Sequence, residues 1–256
     1  MVETEYRLVR DAAEKKIIFL KEEKASYFIS SMMAGFYVGI CMIMIQVIAG
    51  LMDNFAGIRI LQGISFAAAL SLIVFAGADL FTGNIFIMTA GVMQKTVKSL
   101  DAVLLCVYCY FGNLAGSVLI SALFLATGFL QGSVLEIVRV TVFSKIEPPI
   151  YELFVRGIFC NIMVCAAVWC MFRMKSETGR LIMIFWCIYI FIICGFEHSI
   201  ANMTLFSMAA MTAAGADVFI KMLINLAAVT AGNVIGGIAL ALAYWFIAKK
   251  TLKKEA

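Results

Sequence analysis

The sequence holds a single histidine, only two prolines and few charges: Asp, Glu, Lys and Arg make up 14% of its 256 residues. Each shortage removes a class of function. One histidine, His198, cannot provide the ligands of a bis-histidine haem, and no motif suggests another axial ligand. Cys106 and Cys109 match C-x-x-C by spacing, yet one His and one Cys pair fall short of a zinc site. The eight cysteines are scattered, so no disulfide framework is implied. No cofactor, metal site or enzymatic activity is expected. The prolines are the adjacent Pro148 and Pro149; the paired Asn-Pro-Ala motifs that an aquaporin-type channel for neutral solutes would want are therefore absent. The scarcity of charge excludes an ordinary soluble domain, in which roughly 25% of residues are charged.

What the chain has instead is apolar length. It is 64% hydrophobic, with a mean hydropathy of +1.01. Segments 25–52, 102–135 and 222–248 carry no charge, and each exceeds the ~20 residues that cross a bilayer. Residues 1–24 interleave charged and apolar positions with no apolar run before a cleavage site. They read as an amphipathic helix on the membrane surface, not a signal peptide. Six spans fall at about 25–52, 60–94, 102–129, 150–172, 181–211 and 220–248. Fifteen of the twenty Lys and Arg then lie on one side, from Arg7 and Lys16 in the N-terminal segment to Lys249 and Lys254 at the end. The positive-inside rule makes that side cytoplasmic, with both termini inside. These cations flank spans and have no base-stacking platform nearby, so nucleic acid is not a partner.

The chain also repeats itself. Gly77-Ala-Asp79-Leu-Phe-Thr-Gly-Asn84 and Gly195-Phe-Glu197-His-Ser-Ile-Ala-Asn202 share G-x-[D/E]-x-x-x-x-N. Farther on, Gly112-Asn113-Leu-Ala-Gly116 matches Gly232-Asn233-Val-Ile-Gly236. From Gly77 to Gly112 is 35 positions, and from Gly195 to Gly232 is 37. Three spans per repeat force the second copy to enter from the opposite side. The expectation is an all-α integral membrane protein of six transmembrane helices, arranged as two inverted three-helix repeats. Its parts are an amphipathic cytoplasmic helix 1–24, a first repeat 25–129, an extracytoplasmic connection 130–149, a second repeat 150–248 and a basic cytoplasmic tail 249–256. The second and fifth spans are long, and each encloses glycine beside a carboxylate. Both are expected to be broken helices, because irregular backbone at membrane depth is tolerated only inside protein or along a cavity.

The ionisable residues within spans are the functional candidates. His198 can donate a hydrogen bond or a proton to an anion. Asp79 and Glu197 are expected to support the breaks by accepting hydrogen bonds from exposed amides, and Glu197 to orient His198. Asn84, Asn202, Asn113 and Asn233 are expected to satisfy freed backbone groups. Asn161 has no such duty that the sequence identifies. Gly112, Gly116, Gly232 and Gly236 carry the small-xxx-small spacing of close helix contacts.

With these residues assembled, the chain resembles the formate/nitrite transporter family. Phe75-Ala-Gly-Ala-Asp-Leu-Phe-Thr-Gly-Asn84 is similar to the family's broken second-span motif, and Gly195-Phe-Glu-His-Ser-Ile-Ala-Asn-Met203 to its fifth. Asn161-Ile-Met-Val-Cys-Ala-Ala-Val-Trp169 resembles its fourth span, and Gly232-Asn-Val-Ile-Gly-Gly237 its sixth. The resemblance implies an aquaporin-like protomer in a homopentamer in the bacterial inner (plasma) membrane, each protomer with its own anion pore. His198 and Thr82 would line the pore centre, with Asn161 beside them. Leu70 and Phe191 would form the cytoplasmic constriction, and Leu80, Phe81 and Val164 the periplasmic one. Lys145 would draw anions to the mouth. The Phe-Thr-Gly-Asn form of the second-span motif resembles the hydrosulfide-channel branch. The implied function is a channel for small monovalent weak-acid anions, hydrosulfide first, then formate or nitrite. The alternatives are a proton-coupled secondary transporter of such anions and, at a further remove, an aquaporin-type neutral-solute channel.

Overall fold

The computed structural model describes residues 2–52 and 55–252, and every regular element among them is a helix. In chain order these are α1 (Val2–Glu22), α2 (Lys24–Leu51), α3 (Ile58–Phe66), α4 (Ala68–Ala76), α5 (Phe81–Met93) and α6 (Ser99–Ala126). There follow α7 (Gly132–Ile146), α8 (Ile150–Arg173), α9 (Glu177–Ile193), α10 (Ser199–Met211) and α11 (Ala216–Leu252). Only Ala67, itself in helical conformation, separates α3 from α4. By length and composition, α2, α3 with α4, α6, α8 and most of α11 are each able to cross a membrane. The expected spans 60–94 and 181–211 are each divided: α4 gives way to α5, and α9 to α10. Of the expected basic tail 249–256, residues 249–252 continue α11, and 253–256 lie outside the described residues.

The amphipathic pattern of residues 1–24 does form a helix, but its apolar stripe meets protein instead of lipid. Tyr6, Val9, Ala13 and Ile17, at helical spacing, are buried. Tyr6 donates its hydroxyl to the Ala241 carbonyl of α11 (3.1 Å). Ala13 lies against Gly91 of α5. The expected connection 130–149 is largely the helix α7, which buries Val134, Val138, Val142 and Ile146. It packs on the far end of α2, where Val134 meets Gly50 and Thr141 donates to Gln46 (3.0 Å). Thus α1 and α7 lie at opposite ends of the bundle.

Two helix pairs form the frame, α2 along α6 and α8 along α11. In lipid, helices gain no hydrophobic driving force from meeting each other, so close van der Waals approach must hold them. Small residues make it possible. Gly116 faces the Met32 carbonyl, Gly232 that of Phe154 and Gly236 that of Ile158, and a Cβ at any of the three would overlap backbone. Backbone cannot move aside as a flexible side chain can. Gly236→Val is therefore expected to destabilise the protein by about 1–3 kcal/mol or more through overpacking, seen as a lowered melting temperature in detergent. An unchanged melting temperature would contradict the close contact.

Candidate functional site

Both breaks are closed in the same way. Gly77 and Gly195 take left-handed φ values of +75° and +68°, which glycine adopts without steric cost. The amide one residue later then bonds five residues back, Ala78 to Ile73 (2.9 Å) and Phe196 to Phe191 (3.0 Å), the geometry of a Schellman helix end. The next amides, of Asp79 and Glu197, reach a neighbouring helix and donate to the carbonyls of Ser30 (3.2 Å) and Arg156 (3.3 Å).

An asparagine from the adjacent long helix clamps each break. Asn113 accepts from the Phe81 amide (2.9 Å) and donates to the carbonyls of Ser31 (2.7 Å) and Asp79 (2.9 Å). Asn233 accepts from the Ser199 amide (3.0 Å) and donates to those of Gly157 (2.8 Å) and Glu197 (2.9 Å). The carboxyamide carries both a donor and an acceptor, so one side chain satisfies groups of both signs.

The carboxylates do different work from that expected. Asp79 is 6% exposed and Glu197 4%, and a buried charge needs a cation more than it needs an amide. Asp79 receives Lys16 of α1 and Asn84 (2.7 Å). Glu197 receives both Lys145 of α7 (2.9 and 3.0 Å) and Asn202 (2.7 Å). Asn84 and Asn202 thus hold carboxylates in place of backbone. Glu197 does not orient His198. The two are consecutive, and His198 is extended (φ −111°, ψ 115°), so their side chains leave on opposite sides. Lys16 was missed from sequence because its partner lies far along the chain.

His198 is the N-cap of α10. Its Nδ1 accepts from the Ala201 amide (3.2 Å), and its Nε2 is 3.0 Å from Thr82 Oγ1. With Nδ1 accepting, a neutral ring carries its proton on Nε2 and donates to Thr82. Phe191 stacks on the imidazole, with centroids 6.0 Å apart. Asn161 also has a duty, donating to the carbonyls of Thr82 (3.2 Å) and Asn233 (2.6 Å). It ties the two breaks together beside the histidine.

A narrow cavity of about 10 Å³ lies at this point, bounded by His198, Leu70, Leu80, Val164 and Phe191 together with Val38. Leu70 and Phe191, expected in one constriction, and Leu80 and Val164, expected in another, thus border a single cavity. Phe81 does not; its ring packs on Tyr110 (5.0 Å) and lines a lateral groove between α5, α6 and α11. Residues one apart on a helix point about 100° apart, which separates Phe81 from its neighbours Leu80 and Thr82.

Removing a clamp tests this arrangement. Asn233→Ala leaves the Ser199 amide and two carbonyls without that partner, at an expected cost on the order of 3 kcal/mol. Asn113→Ala should cost a similar amount. Melting temperatures in detergent within the error of the unsubstituted protein would contradict the clamps.

Comparison with known proteins agrees with the geometry. A family model described as formate/nitrite transporter matches residues 3–246. The nitrite transporter NirC of Salmonella typhimurium is 35% identical over 238 residues, covering 88% of this chain and 84% of its own. The nitrite transporter NirC of Escherichia coli is 35% identical over 243 residues, covering 90% and 86%. Among solved structures, an FNT family ion channel matches with a TM-score of 0.89 at 30% identity, over 95% of this chain and 98% of its own. A pentameric formate channel with formate bound matches with a TM-score of 0.75 at 30% identity, over 88% and 98%. This multi-pass membrane protein belongs to the formate/nitrite transporter family, a family of transporters and not of enzymes.

Proposed function

We propose that the chain is a channel for small monovalent weak-acid anions, with hydrosulfide, formate and nitrite as its candidates. Six spans carry it, counting α3–α5 and α9–α10 each as one broken span of two inverted repeats. The α1 end is cytoplasmic, as are both termini, in a bacterial inner membrane. The protomers assemble as a homopentamer, a reading supported by the likeness to the pentameric formate channel.

The observation that carries the reading is His198, hydrogen-bonded to Thr82, as the polar side chain bordering an otherwise apolar cavity. A space of about 10 Å³ is near the least that holds one water, so an ion must shed its hydration shell to pass. Desolvating a bare anion in an apolar ring costs far more than desolvating a neutral acid. Formate, nitrite and hydrosulfide are bases of weak acids, so each can take a proton from the external water while held by the Nε2–H of His198 and cross as the neutral acid. Chloride, the base of a strong acid, cannot. The name of the NirC relatives favours nitrite and that of the solved channel formate, while the Phe-Thr-Gly-Asn motif favours hydrosulfide.

Flux into proteoliposomes tests the reading. Hydrosulfide, formate and nitrite should enter saturably and faster as the external pH falls, with chloride excluded. His198→Ala should flatten the pH dependence. Permeability to water and glycerol without anion flux would overturn the assignment.

A further inference from the structure

The expected anion-attracting residue, Lys145, is engaged by both oxygens of Glu197 at 2.9 and 3.0 Å. Its charge is largely neutralised where it stands. Arg156, nearby on α8, is likewise paired with Glu152 at 2.6 Å. The mouth on the α7 side nevertheless has a cation with no such partner. We propose that Arg59 is the residue that captures anions at this mouth, a role that rests on the channel reading above.

Four observations place it there. Arg59 is exposed and makes no ion pair or hydrogen bond among the described residues. Its Nη1 reaches the α9–α10 break, 3.7 Å from where a Cβ on Gly195 would stand, three residues before His198. Phe66, Leu70 and Ile73, which line the central cavity, follow it at helical spacings of 7, 11 and 14 residues along α3 and α4. Those spacings put all four on one helix face, with Arg59 about 10 Å from Phe66 along the axis. Finally, Arg59 sits in the first turn of α3, which has no acidic residue and no side-chain cap. A cation there opposes the helix dipole, so it does nothing for the helix, while the two positive potentials add.

A capping role toward α9 is already filled. The amides of Cys194, Gly195 and Phe196 take the carbonyls of Ile190, Ile192 and Phe191 at 3.0 to 3.1 Å. The guanidinium is left free to meet a solute. Its planar fork matches the two oxygens of a carboxylate or nitrite, where a lysine offers only a point charge. Arg139, also without an ion pair among the described residues, lines a separate depression with Thr212 and Gly215 and is not on this face.

The experiment is sided uptake of formate by proteoliposomes containing the full chain, Arg59→Gln or Arg59→Lys, each checked for intact assembly by gel filtration. With formate on the α7 side at low salt, Arg59→Gln should raise KM about five-fold, the order expected for one surface charge, with an unchanged maximal rate. The difference should close in about 0.5 M inert salt, where the Debye length is a few ångströms. Arg59→Lys, which keeps the charge and loses the fork, should restore part of the low-salt affinity. A KM unchanged in Arg59→Gln, or raised equally at all salt concentrations or from the α1 side, would overturn the Arg59 site alone. Wild-type protein without formate flux would instead overturn the channel reading beneath it.

Discussion

A peptide group within a bilayer has no water to turn to, so any helix that stops there must find its hydrogen bonds inside the protein. The structure meets that constraint twice with the same residue type. Asn113 and Asn233 each bond to three backbone groups around a break. For a clamp to reach, its helix must lie almost against the neighbouring backbone. Gly35 supplies that closeness beside Asn113, where a Cβ would overlap the Asn113 carbonyl, and Gly157 and Gly232 supply it beside Asn233. The glycine contacts and the asparagine clamps are therefore parts of one solution: without the close approach the clamps cannot bond, and without the clamps the breaks leave buried backbone groups unpaired.

Each break also buries a carboxylate that the clamp does not neutralise. Charge balance comes from outside the spans, from Lys16 of α1 at one end and Lys145 of α7 at the other. Both helices are held to the bundle by these pairs as well as by their apolar faces. Where the two breaks differ is at the last residue before the following helix. It is Leu80 in the first and His198 in the second. The central cavity thus has one titratable side on an apolar frame, and the hydroxyl facing it is that of Thr82.

Much of this was legible in the sequence because two independent signals coincided. Glycine and a carboxylate inside a long apolar run marked each break, and the recurrence of Gly-Asn-x-x-Gly marked the clamps. What escaped had physical reasons. The tie between Lys16 and Asp79 joins residues with no shared motif, since helical periodicity reveals which face of α1 is polar but not what it meets. The Asn161 amide donates to carbonyls of Thr82 and Asn233, both distant in the chain. The pairing of Glu197 with His198 was inferred from adjacency, which in extended backbone sends side chains apart. Phe81, placed beside Leu80 by the family resemblance, turns away to Tyr110.

The central claim is that the solute passes between Thr82 and His198. A cryo-electron microscopy structure of the protein in lipid nanodiscs with formate tests it most directly. Passage at this point requires formate density within hydrogen-bonding reach of His198 Nε2 and Thr82 Oγ1, with their present 3.0 Å contact opened to admit it. Formate found elsewhere in the protein, with that contact intact, would contradict it.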